Sequence, residues 1–262
     1  MRIGNNETLN GVRYSSSPNR GGVIDPKFIV MHYTAGFTAE SAVETLTNPS
    51  SRASAHVVVD YDGTITQLVP FNVKAWHAGP SRYKGYNGLN NHSIGIEIVN
   101  IGWVRKFSDG TYGRNNWRRT ERDLGPMIAS PHQRVGGGTF YWPEYPEAQL
   151  EAVERLTEAL VARYGIRDIV SHEEIDTRGW KTDPGPAFPM GRFKKLLGHR
   201  DDDREELYVV TASTLNVRGG PGTRFEVVDS LPRGATVRVM EKRNDWARIE
   251  QGWVFDDFLR LL

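Results

Sequence analysis

The chain contains 262 residues, of which 33 are Lys or Arg and 32 are Asp or Glu, so its formal net charge is +1. A charge this close to zero provides no overall attraction to nucleic acid or to an anionic membrane. Cysteine is absent, which excludes disulfides, thiolate metal sites and cysteine-nucleophile hydrolases. No apolar run reaches about eighteen residues, so we expect no membrane span. The first residues show no apolar segment typical of a Sec signal peptide.

The region before residue 198 alternates strand and helix patterns, taken here in chain order. Apolar, β-rich runs predict strands at FIVMHYT, AHVVVDYD and SIGIEIVNI, and TAESAVETLTN predicts a helix with Thr38 as its N-cap. A long helix is predicted to begin at Pro146 and to end at Gly165. RDIVSHEEI then predicts a strand followed by a loop, and MGRFKKLLG a last short helix. The expected fold is α/β, with a mixed central sheet flanked by helices.

A long insert interrupts this pattern between about Gly102 and Tyr145. Loops of such length are usually functional lids or disordered segments. The insert contains the aromatic residues Trp103, Trp117, Tyr141 and Trp142, which predict that it is packed.

A charged segment near residues 198–206, GHRDDDREE, predicts a solvated linker. Beyond it, residues 207–262 contain short β-branched stretches separated by turn clusters such as RGGPGTR. Strands of this length and spacing predict a small all-β barrel. Four aromatic residues are sufficient to fill its core, namely Phe225, Trp246, Trp253 and Phe255.

Two of the seven histidines stand where predicted strands end, His32 in FIVMHYT and His172 in DIVSHEE. Lys181 and Asp183 follow in the Pro- and Gly-containing loop WKTDPGP. Two imidazoles and one carboxylate, with a fourth position left to water, form the ligand set of a catalytic zinc site. On the residues alone, the alternative is that both histidines are ordinary, partly buried side chains.

Glu97 is a single carboxylate within the apolar strand SIGIEIVN. Its alternation with isoleucines predicts one apolar face and a second face that carries Gly95, Glu97 and Val99. Because burial of an unpaired carboxylate is costly, Glu97 must face solvent, a partner or a site. Because the neighbouring residues are apolar, we expect Glu97 to face a cleft rather than bulk water, and a carboxylate in a cleft can act as a general base.

Between about Ile24 and Leu197 the chain contains six blocks in a fixed order: FIVMHYTAG, SAHVVVDYDGTITQLVP, AWHAG, NNHSIGIEIVN, YPEAQLEAVERL and SHEEIDTRGWKTDPGP. This series resembles the zinc-dependent N-acetylmuramoyl-L-alanine amidases of the amidase-2 type. Their fold is shared by T7-type lysozyme and the peptidoglycan recognition proteins. The resemblance covers about two-thirds of the chain.

The resemblance implies a role for each candidate residue. It places His32, His172 and Asp183 on the zinc ligands, with Asp176 as the alternative third ligand because the intervening loop varies in the family. It places Glu97 on the catalytic glutamate and Lys181 on the lysine that stabilises the developing oxyanion.

Other residues of the matching blocks are expected at the cleft. By the resemblance, His77 in AWHAG contacts the substrate or the transition state, and Trp76, Asn91 and Tyr33 border the pocket. His56 is expected to be structural or to support a ligand, whereas the remaining histidines are expected at the surface, namely His92, His132 and His199.

The C-terminal part resembles a bacterial SH3-like (SH3b) domain, most clearly in LNVRGGPG and the late GWV. Such domains commonly bind peptidoglycan in wall hydrolases, although this one could instead pack on the catalytic domain or bind another partner. The expected organisation is a catalytic domain over residues 1–198, a linker over 199–206 and an SH3b domain over 207–262.

Together the resemblances imply a zinc hydrolase that cleaves the amide between N-acetylmuramic acid and L-alanine in peptidoglycan. One alternative is a peptidoglycan-binding protein of the same fold without activity, and another is a cytoplasmic amidase that recycles small muropeptides. The SH3b domain favours action on the wall, in the periplasm or outside the cell. The lack of a recognisable Sec signal favours a phage endolysin or an effector of a specialised secretion system. An effector would have an immunity or delivery protein as its partner.

Overall fold

The computed structural model describes residues 1–114, 116–198, 207–243 and 245–261. Residue contacts divide the chain into two units, residues 1–198 and residues 199–262. The predicted linker 199–206 and His199 lie outside the described residues. Across the described ranges, no helix is both long and apolar enough to cross a bilayer.

The first unit combines many short strands with a few helices. Its strands are β1 (Arg13–Tyr14), β2 (Arg20–Val23), β3 (Phe28–Tyr33), β4 (Val57–Val59), β5 (Ile65–Gln67), β6 (Val73–Ala75), β7 (Arg82–Tyr83), β8 (Tyr86–Asn87), β9 (Ser93–Ile98), β10 (Arg105–Lys106), β11 (Tyr112–Arg114), β12 (Trp117–Arg119), β13 (Met127–His132), β14 (Gly136–Pro143) and β15 (Asp168–Ser171). Its helices are α1 (Ala39–Thr47), α2 (Glu121–Leu124), α3 (Glu147–Tyr164), α4 (His172–Ile175) and α5 (Met190–Lys194). Short 3₁₀ turns occur at Pro49–Ser51, Leu89–Asn91 and Lys195–Leu197.

A six-stranded sheet forms the centre of this unit, in the order β1-β5-β4-β9-β3-β15. β4 and β5 are antiparallel, whereas the other neighbouring pairs are parallel. The mixed central sheet that the sequence predicted is therefore confirmed.

The long helix α3 covers one face of this sheet. It begins after Pro146 and ends at Gly165, whose φ of 61° is the left-handed conformation that closes many helices. Its buried residues, such as Leu156, pack against Ile29 and Met31 of β3. The pattern in the sequence predicted both ends of this helix.

The opposite face is covered by α1 and by connecting segments. Thr38 caps α1, since its hydroxyl accepts a hydrogen bond from the Ser41 amide at 3.2 Å. Ala42 and Leu46 of α1 pack in one cluster with Val58 of β4. The sheet is thus buried on both faces, and polar side chains on it must find partners or form a site.

One element differs from the expectation. The sequence predicted a loop after the strand at Asp168–Ser171, but the short helix α4 begins there at His172. Ser171 acts as the N-cap, because its hydroxyl accepts a hydrogen bond from the Glu174 amide at 3.1 Å.

The insert is packed, as its aromatic residues predicted, but it consists largely of strands. β10, β11 and β12 form a three-stranded sheet, and β13 pairs with β14. Trp142 is fully buried, and Tyr112 packs with Trp117 and Tyr141 in a small apolar cluster. The ends of the insert are joined, since the Asn100 side-chain amide donates to the Pro143 carbonyl at 3.0 Å.

The second unit is the predicted all-β barrel, made of two antiparallel sheets. Its strands are β16 (Leu207–Val210), β17 (Thr214–Arg218), β18 (Val227–Pro232), β19 (Thr236–Arg238), β20 (Glu241–Arg243), β21 (Trp246–Ile249), β22 (Gly252–Phe255) and β23 (Leu259–Leu261), with a 3₁₀ turn at Asp256–Phe258.

The core of the barrel corrects one prediction. It is mainly aliphatic, with Leu215, Val217 and Val254 among its buried residues. The four aromatic residues expected to fill it are only half-buried, namely Phe225, Trp246, Trp253 and Phe255. The β-branched residues on alternate strand positions fill the small interior instead, which leaves the larger rings partly exposed.

Candidate active site

Three parallel strands place the central candidates side by side. His32 of β3 is paired with Glu97 of β9 in the sheet register. Ser171 of β15 is paired with Met31, so His172, the next residue, follows directly beside His32. Paired residues of neighbouring strands point to the same face. The register therefore brings all three side chains together at the carboxyl ends of these strands, where α/β sheets commonly bind ligands.

Asp183 reaches the two histidines from the loop that follows α4. Its Oδ2 lies 3.0 Å from His32 Nδ1 and 2.9 Å from His172 Nδ1. The two Nδ1 atoms are themselves 2.9 Å apart. All three residues are buried, so the cluster is a closed triangle of potential ligand atoms.

The protonation of this triangle makes it suitable for a cation. Burial raises the pKa of Asp183, but the close imidazoles of His172 and His32 outweigh this effect and hold the pKa below its ordinary value. Asp183 is therefore a carboxylate. His172 Nε2 faces the Ala78 carbonyl at 3.3 Å, so a neutral His172 carries its hydrogen there and directs the Nδ1 lone pair at the triangle.

These residues fit a zinc ion. Two imidazole nitrogens and one carboxylate oxygen are a recurrent protein ligand set in catalytic zinc sites. In addition, burial and the neighbouring His172 lower the pKa of His32 to about 4, so His32 is neutral at physiological pH, as a metal ligand must be.

Asp176, the alternative third ligand, is occupied elsewhere. Its side chain accepts hydrogen bonds from the amides of Trp180 and Lys181, at 3.0 and 3.1 Å, and from the Arg178 guanidinium at 3.1 Å. Burial raises the pKa of Asp176, but these bonds outweigh it and lower the pKa to about 2. Asp176 thus organises the loop between α4 and Asp183 and lies outside the triangle.

Glu97 has an unusual environment for a carboxyl group. Its Oε2 is buried and has no hydrogen-bond partner among the described residues. Burial, and then the negative charge of Asp183, raise the pKa of Glu97 to about 8, although the Lys181 charge opposes this. A carboxyl group with a raised pKa holds a proton more firmly than an ordinary glutamate, and a carboxyl group held in such a site is typical of general acid–base catalysis.

A cavity of about 220 Å³ lies beside Glu97, between the loop after β3 and helix α1. Hydroxyl groups and small side chains surround it, with lining residues Thr34, Ala35, Gly36, Ser41, Ala42, Thr45, Leu46 and Glu97. The cavity gives a small molecule or part of a larger one access to the Glu97 carboxyl group.

Lys181 is half-buried, and its charge acts on both Glu97 and His32. Its backbone is held on both sides, because its amide donates to Asp176 and its carbonyl accepts from Arg134 at 2.9 Å. Arg134 lies in the insert, between β13 and β14. The sequence did not identify this contact, since 47 residues separate the two partners.

The insert also contacts helix α4. His132 Nε2 lies 2.7 Å from Glu173 Oε2, and the His132 side chain is only 12% exposed. This corrects the expectation that His132 is a surface residue. His92 is also half-buried, against the Tyr86 ring, rather than at the surface. His132 finds its partner 41 residues away in the chain. The partner of His92 is the Tyr86 ring on β8.

His56 behaves as a structural residue, as predicted. It is fully buried, its Nδ1 accepts from the Gly95 amide at 3.0 Å, and its Nε2 donates to the Val73 carbonyl at 2.9 Å. Both ring nitrogens therefore bind backbone, which fixes the neighbouring strand segments.

His77 is buried, and its ring packs against both His32 and His56. Its Nδ1 lies 3.0 Å from His32 Nε2, and its Nε2 lies 3.3 Å from the Ser93 hydroxyl. Both nitrogens face buried groups, on the side of His32 opposite to Asp183. The predicted contact of His77 with substrate stays a prediction.

The remaining candidates occupy different positions. Tyr33 is half-buried, and its hydroxyl lies 2.5 Å from the Thr182 hydroxyl, next to Asp183. Trp76 is half-buried on the segment before His77. The pocket roles of Tyr33 and Trp76 stay predictions.

Asn91 is exposed and donates to the Gly88 carbonyl within its own turn, so the structure does not bring it to the cluster. Its neighbour Asn90, which sequence reasoning missed, accepts hydrogen bonds from the amides of His77 and Ala78 at 2.9 and 2.7 Å. No pattern in the sequence distinguishes these adjacent asparagines.

Residues 22–186 match the family model of N-acetylmuramoyl-L-alanine amidase (Amidase_2), and residues 213–260 match that of the bacterial SH3 domain. The first match spans more than half of the chain. The chain belongs to the N-acetylmuramoyl-L-alanine amidase family. All residues of the triangle, together with Glu97 and Lys181, lie within the matched range.

Two curated relatives are similar to part of this amidase-family chain. N-acetylmuramoyl-L-alanine amidase AmiD of Escherichia coli is 33% identical over 172 residues, which cover 62% of this chain and 50% of AmiD. The 1,6-anhydro-N-acetylmuramyl-L-alanine amidase AmpD of Salmonella typhimurium is 33% identical over 147 residues, covering 56% of this chain and 58% of AmpD. The chain therefore spans about half the length of these relatives.

Two solved structures share the fold of the amidase-family unit. An AmpD derivative matches with a TM-score of 0.53 and 26% identity, covering 75% of this chain and 99% of that structure. Escherichia coli AmiD, in complex with its substrate anhydro-N-acetylmuramic acid-L-Ala-D-gamma-Glu-L-Lys, matches with a TM-score of 0.50 and 30% identity, covering 70% and 59%.

Proposed function

We propose that this chain is a zinc-dependent amidase that hydrolyses the bond between N-acetylmuramic acid and L-alanine in peptidoglycan. The observation that supports it most directly is the triangle formed by His32, His172 and Asp183, with Glu97 paired to His32 in the sheet register. A ligand set for zinc and a carboxyl group whose Oε2 has no hydrogen-bond partner in the described part of the chain are the parts that metal-assisted hydrolysis uses.

In this proposal, His32, His172 and Asp183 hold the zinc ion. When bound there, zinc supplies a Lewis acid for the scissile carbonyl and lowers the pKa of the attacking water. Glu97 accepts the proton of that water and returns it to the leaving amine. Lys181 places a positive charge near Glu97 and stabilises the negative charge that develops on the carbonyl oxygen.

The test is metal content measured together with activity on purified peptidoglycan, before and after chelation. We expect about one zinc per chain, with N-acetylmuramic acid and L-alanine termini released, lost on chelation and restored by zinc. His172→Ala is the matched control, because it removes one corner of the triangle. A folded chain that holds no metal and cleaves nothing would instead support the alternative of a peptidoglycan-binding protein.

Two forms of the substrate are candidates, intact wall peptidoglycan and small soluble fragments of it. The SH3-like unit favours intact wall peptidoglycan, whereas the AmpD relative, a 1,6-anhydro-N-acetylmuramyl-L-alanine amidase by name, favours small 1,6-anhydro fragments, as in cytoplasmic recycling. We propose the intact wall as the main substrate. Digestion of intact sacculi and of isolated anhydromuropeptides, compared at equal enzyme concentration, separates the two; cleavage of the fragments alone would leave recycling as the function.

We propose that residues 1–198 form the catalytic domain, residues 199–206 a linker and residues 207–262 a domain that binds the wall. The family matches at 22–186 and 213–260 and the two units support this division. Action on the wall, as an endolysin or as a delivered effector with an immunity or delivery partner, belongs to the same proposal. Co-purification of a small inhibitor protein from the source cells would favour the effector.

A further inference from the structure

His32 can hold a metal ion only in one of its two neutral forms. The proposed ligand atom is Nδ1, which lies 3.0 Å from Asp183 Oδ2 and 2.9 Å from His172 Nδ1. A hydrogen on Nδ1 would point at these two acceptors and occupy the place of the metal. His32 must therefore carry its hydrogen on Nε2, and the group that accepts this hydrogen decides the form of the ring.

That acceptor is His77. The neighbouring residues Ser93 and Leu89 determine which atom donates and which accepts in each hydrogen bond around it. The Ser93 hydroxyl donates to the Leu89 carbonyl at 2.6 Å, because a carbonyl oxygen can only accept. Having used its hydrogen, Ser93 Oγ accepts from His77 Nε2 at 3.3 Å. His77 then has no hydrogen on Nδ1, so Nδ1 accepts from His32 Nε2 at 3.0 Å.

The surrounding sequence holds His77 in this position. The His77 ring lies on β9 at Gly95, where a Cβ would come within 2.5 Å of the ring. Such a contact is too short for any side chain, so only glycine permits it. From the other side, Asn90 accepts from the amides of His77 and Ala78, and thereby fixes the segment whose Ala78 carbonyl faces His172.

We infer that His77 is a positioning residue, which accepts a hydrogen bond from His32 Nε2 and so directs the Nδ1 lone pair of His32 at the metal position. Ser93 sets the direction of this bond, and Gly95 provides the space for it. The inference rests on the proposed zinc site, and it gives His77 a role in metal binding that is distinct from the contact with substrate that its sequence block implied.

The first test measures zinc affinity by competition with a chelator, on the full chain. His77→Leu removes the acceptor and should weaken zinc binding by about 10- to 100-fold, the usual effect of losing a group that orients a ligand. His77→Asn keeps an acceptor at the position of Nδ1 and should restore most of the affinity. Equal zinc affinity in folded His77→Leu and in the wild-type chain would overturn the inference.

A control variant distinguishes the loss of the hydrogen-bond acceptor from the mere loss of a buried imidazole ring. His56 is also a fully buried imidazole, but its nitrogens bond only to the backbone of Gly95 and Val73. We expect His56→Leu to lower the temperature of unfolding while it leaves zinc affinity within about threefold of the wild type. A loss of affinity as large as that of His77→Leu would mean that packing alone explains the effect.

The second test uses the unaltered chain, so it does not depend on the folding of any variant. Long-range ¹H–¹⁵N NMR correlations identify which nitrogen of each imidazole carries hydrogen. In the zinc-free chain, His77 should carry it on Nε2, because Ser93 Oγ accepts there. In the zinc-loaded chain, His32 should carry it on Nε2 as well. Hydrogen on Nδ1 of His77 would overturn the inference.

The two tests also distinguish the inference from the proposed function. A wild-type chain without zinc affinity would contradict the proposed function, and the NMR measurement would still decide the direction of the hydrogen bonds. A wild-type chain that binds zinc, together with a His77→Leu variant that binds it equally well, would contradict the inference alone.

Discussion

Glu97 combines burial, an Oε2 atom that finds no hydrogen-bond partner among the residues the structure describes, and a pKa raised to about 8. Glu97→Gln keeps the shape of the side chain but cannot accept a proton. We expect this variant to bind zinc normally and to lose hydrolysis by about 10²- to 10⁴-fold, the usual contribution of a general base. Zinc content and release of amidase products from peptidoglycan are the measurements. Activity close to wild type would remove Glu97 from the mechanism.

The two aspartates of the loop after α4 have different environments, although both are buried. Asp183→Asn should lose most zinc binding, because an amide replaces the carboxylate corner of the triangle. Asp176→Asn should retain zinc and lose about 1–3 kcal/mol of stability, since one amide oxygen replaces an acceptor of several N–H groups. Metal analysis and thermal unfolding of both variants measure this contrast. The reverse pattern would restore Asp176 as the third ligand.

At the scale of elements, the insert supports the loop that carries Lys181. Arg134 donates to the Lys181 carbonyl at 2.9 Å and lies 3.8 Å from Asp176 Oδ2. Arg134→Ala should lower the rate of hydrolysis about three- to tenfold with zinc retained, because the loss of such a bond loosens the Lys181 backbone. Steady-state rates on a soluble muropeptide measure the effect. Arg122→Ala, an exposed change in the same insert, is the control and should leave the rate unchanged.

Helix α3 is fixed to the sheet by a polar contact as well as by its apolar face. The fully buried Gln149 donates from its side-chain amide to the carbonyls of Val59 and Val99, at 3.2 and 3.0 Å. Gln149→Leu should reduce the free energy of unfolding by about 1–2 kcal/mol, because the Val99 carbonyl loses its donor. Urea denaturation measures the loss, and the exposed Glu158→Leu on the same helix should change stability by less than about 0.5 kcal/mol.

At the scale of the whole molecule, the two units have separate cores. A chain that ends at residue 198 retains the triangle, Glu97 and Lys181. We expect it to cleave soluble muropeptides at the full rate and intact sacculi more slowly, because it lacks the unit proposed to raise the local concentration of enzyme on the wall. Rates on both substrates provide the measurement, and equal rates on sacculi would mean that the SH3-like unit binds something else.

The sequence determined the main elements of this protein through local patterns. Apolar, β-rich runs predicted β3 and β9, and Pro146, Gly165 and the cap Thr38 predicted helix ends that the structure confirms. These features depend on neighbours within a few positions, so a single sequence reveals them. The order of the blocks in the sequence also indicated the amidase family, which the match over residues 22–186 confirms.

Only the tertiary structure decided how the site residues relate to one another. It brought Asp183 rather than Asp176 to the two histidines, and Asn90 rather than Asn91 to the amide of His77. It also set the His77 ring against His32 and joined Arg134 to Lys181. The physical reason is that a hydrogen bond is decided by a few ångströms and an angle. Strand register and loop packing set these distances between residues that lie far apart in the chain. The residue types alone do not reveal them, because two aspartates or two asparagines in one segment look alike in the sequence.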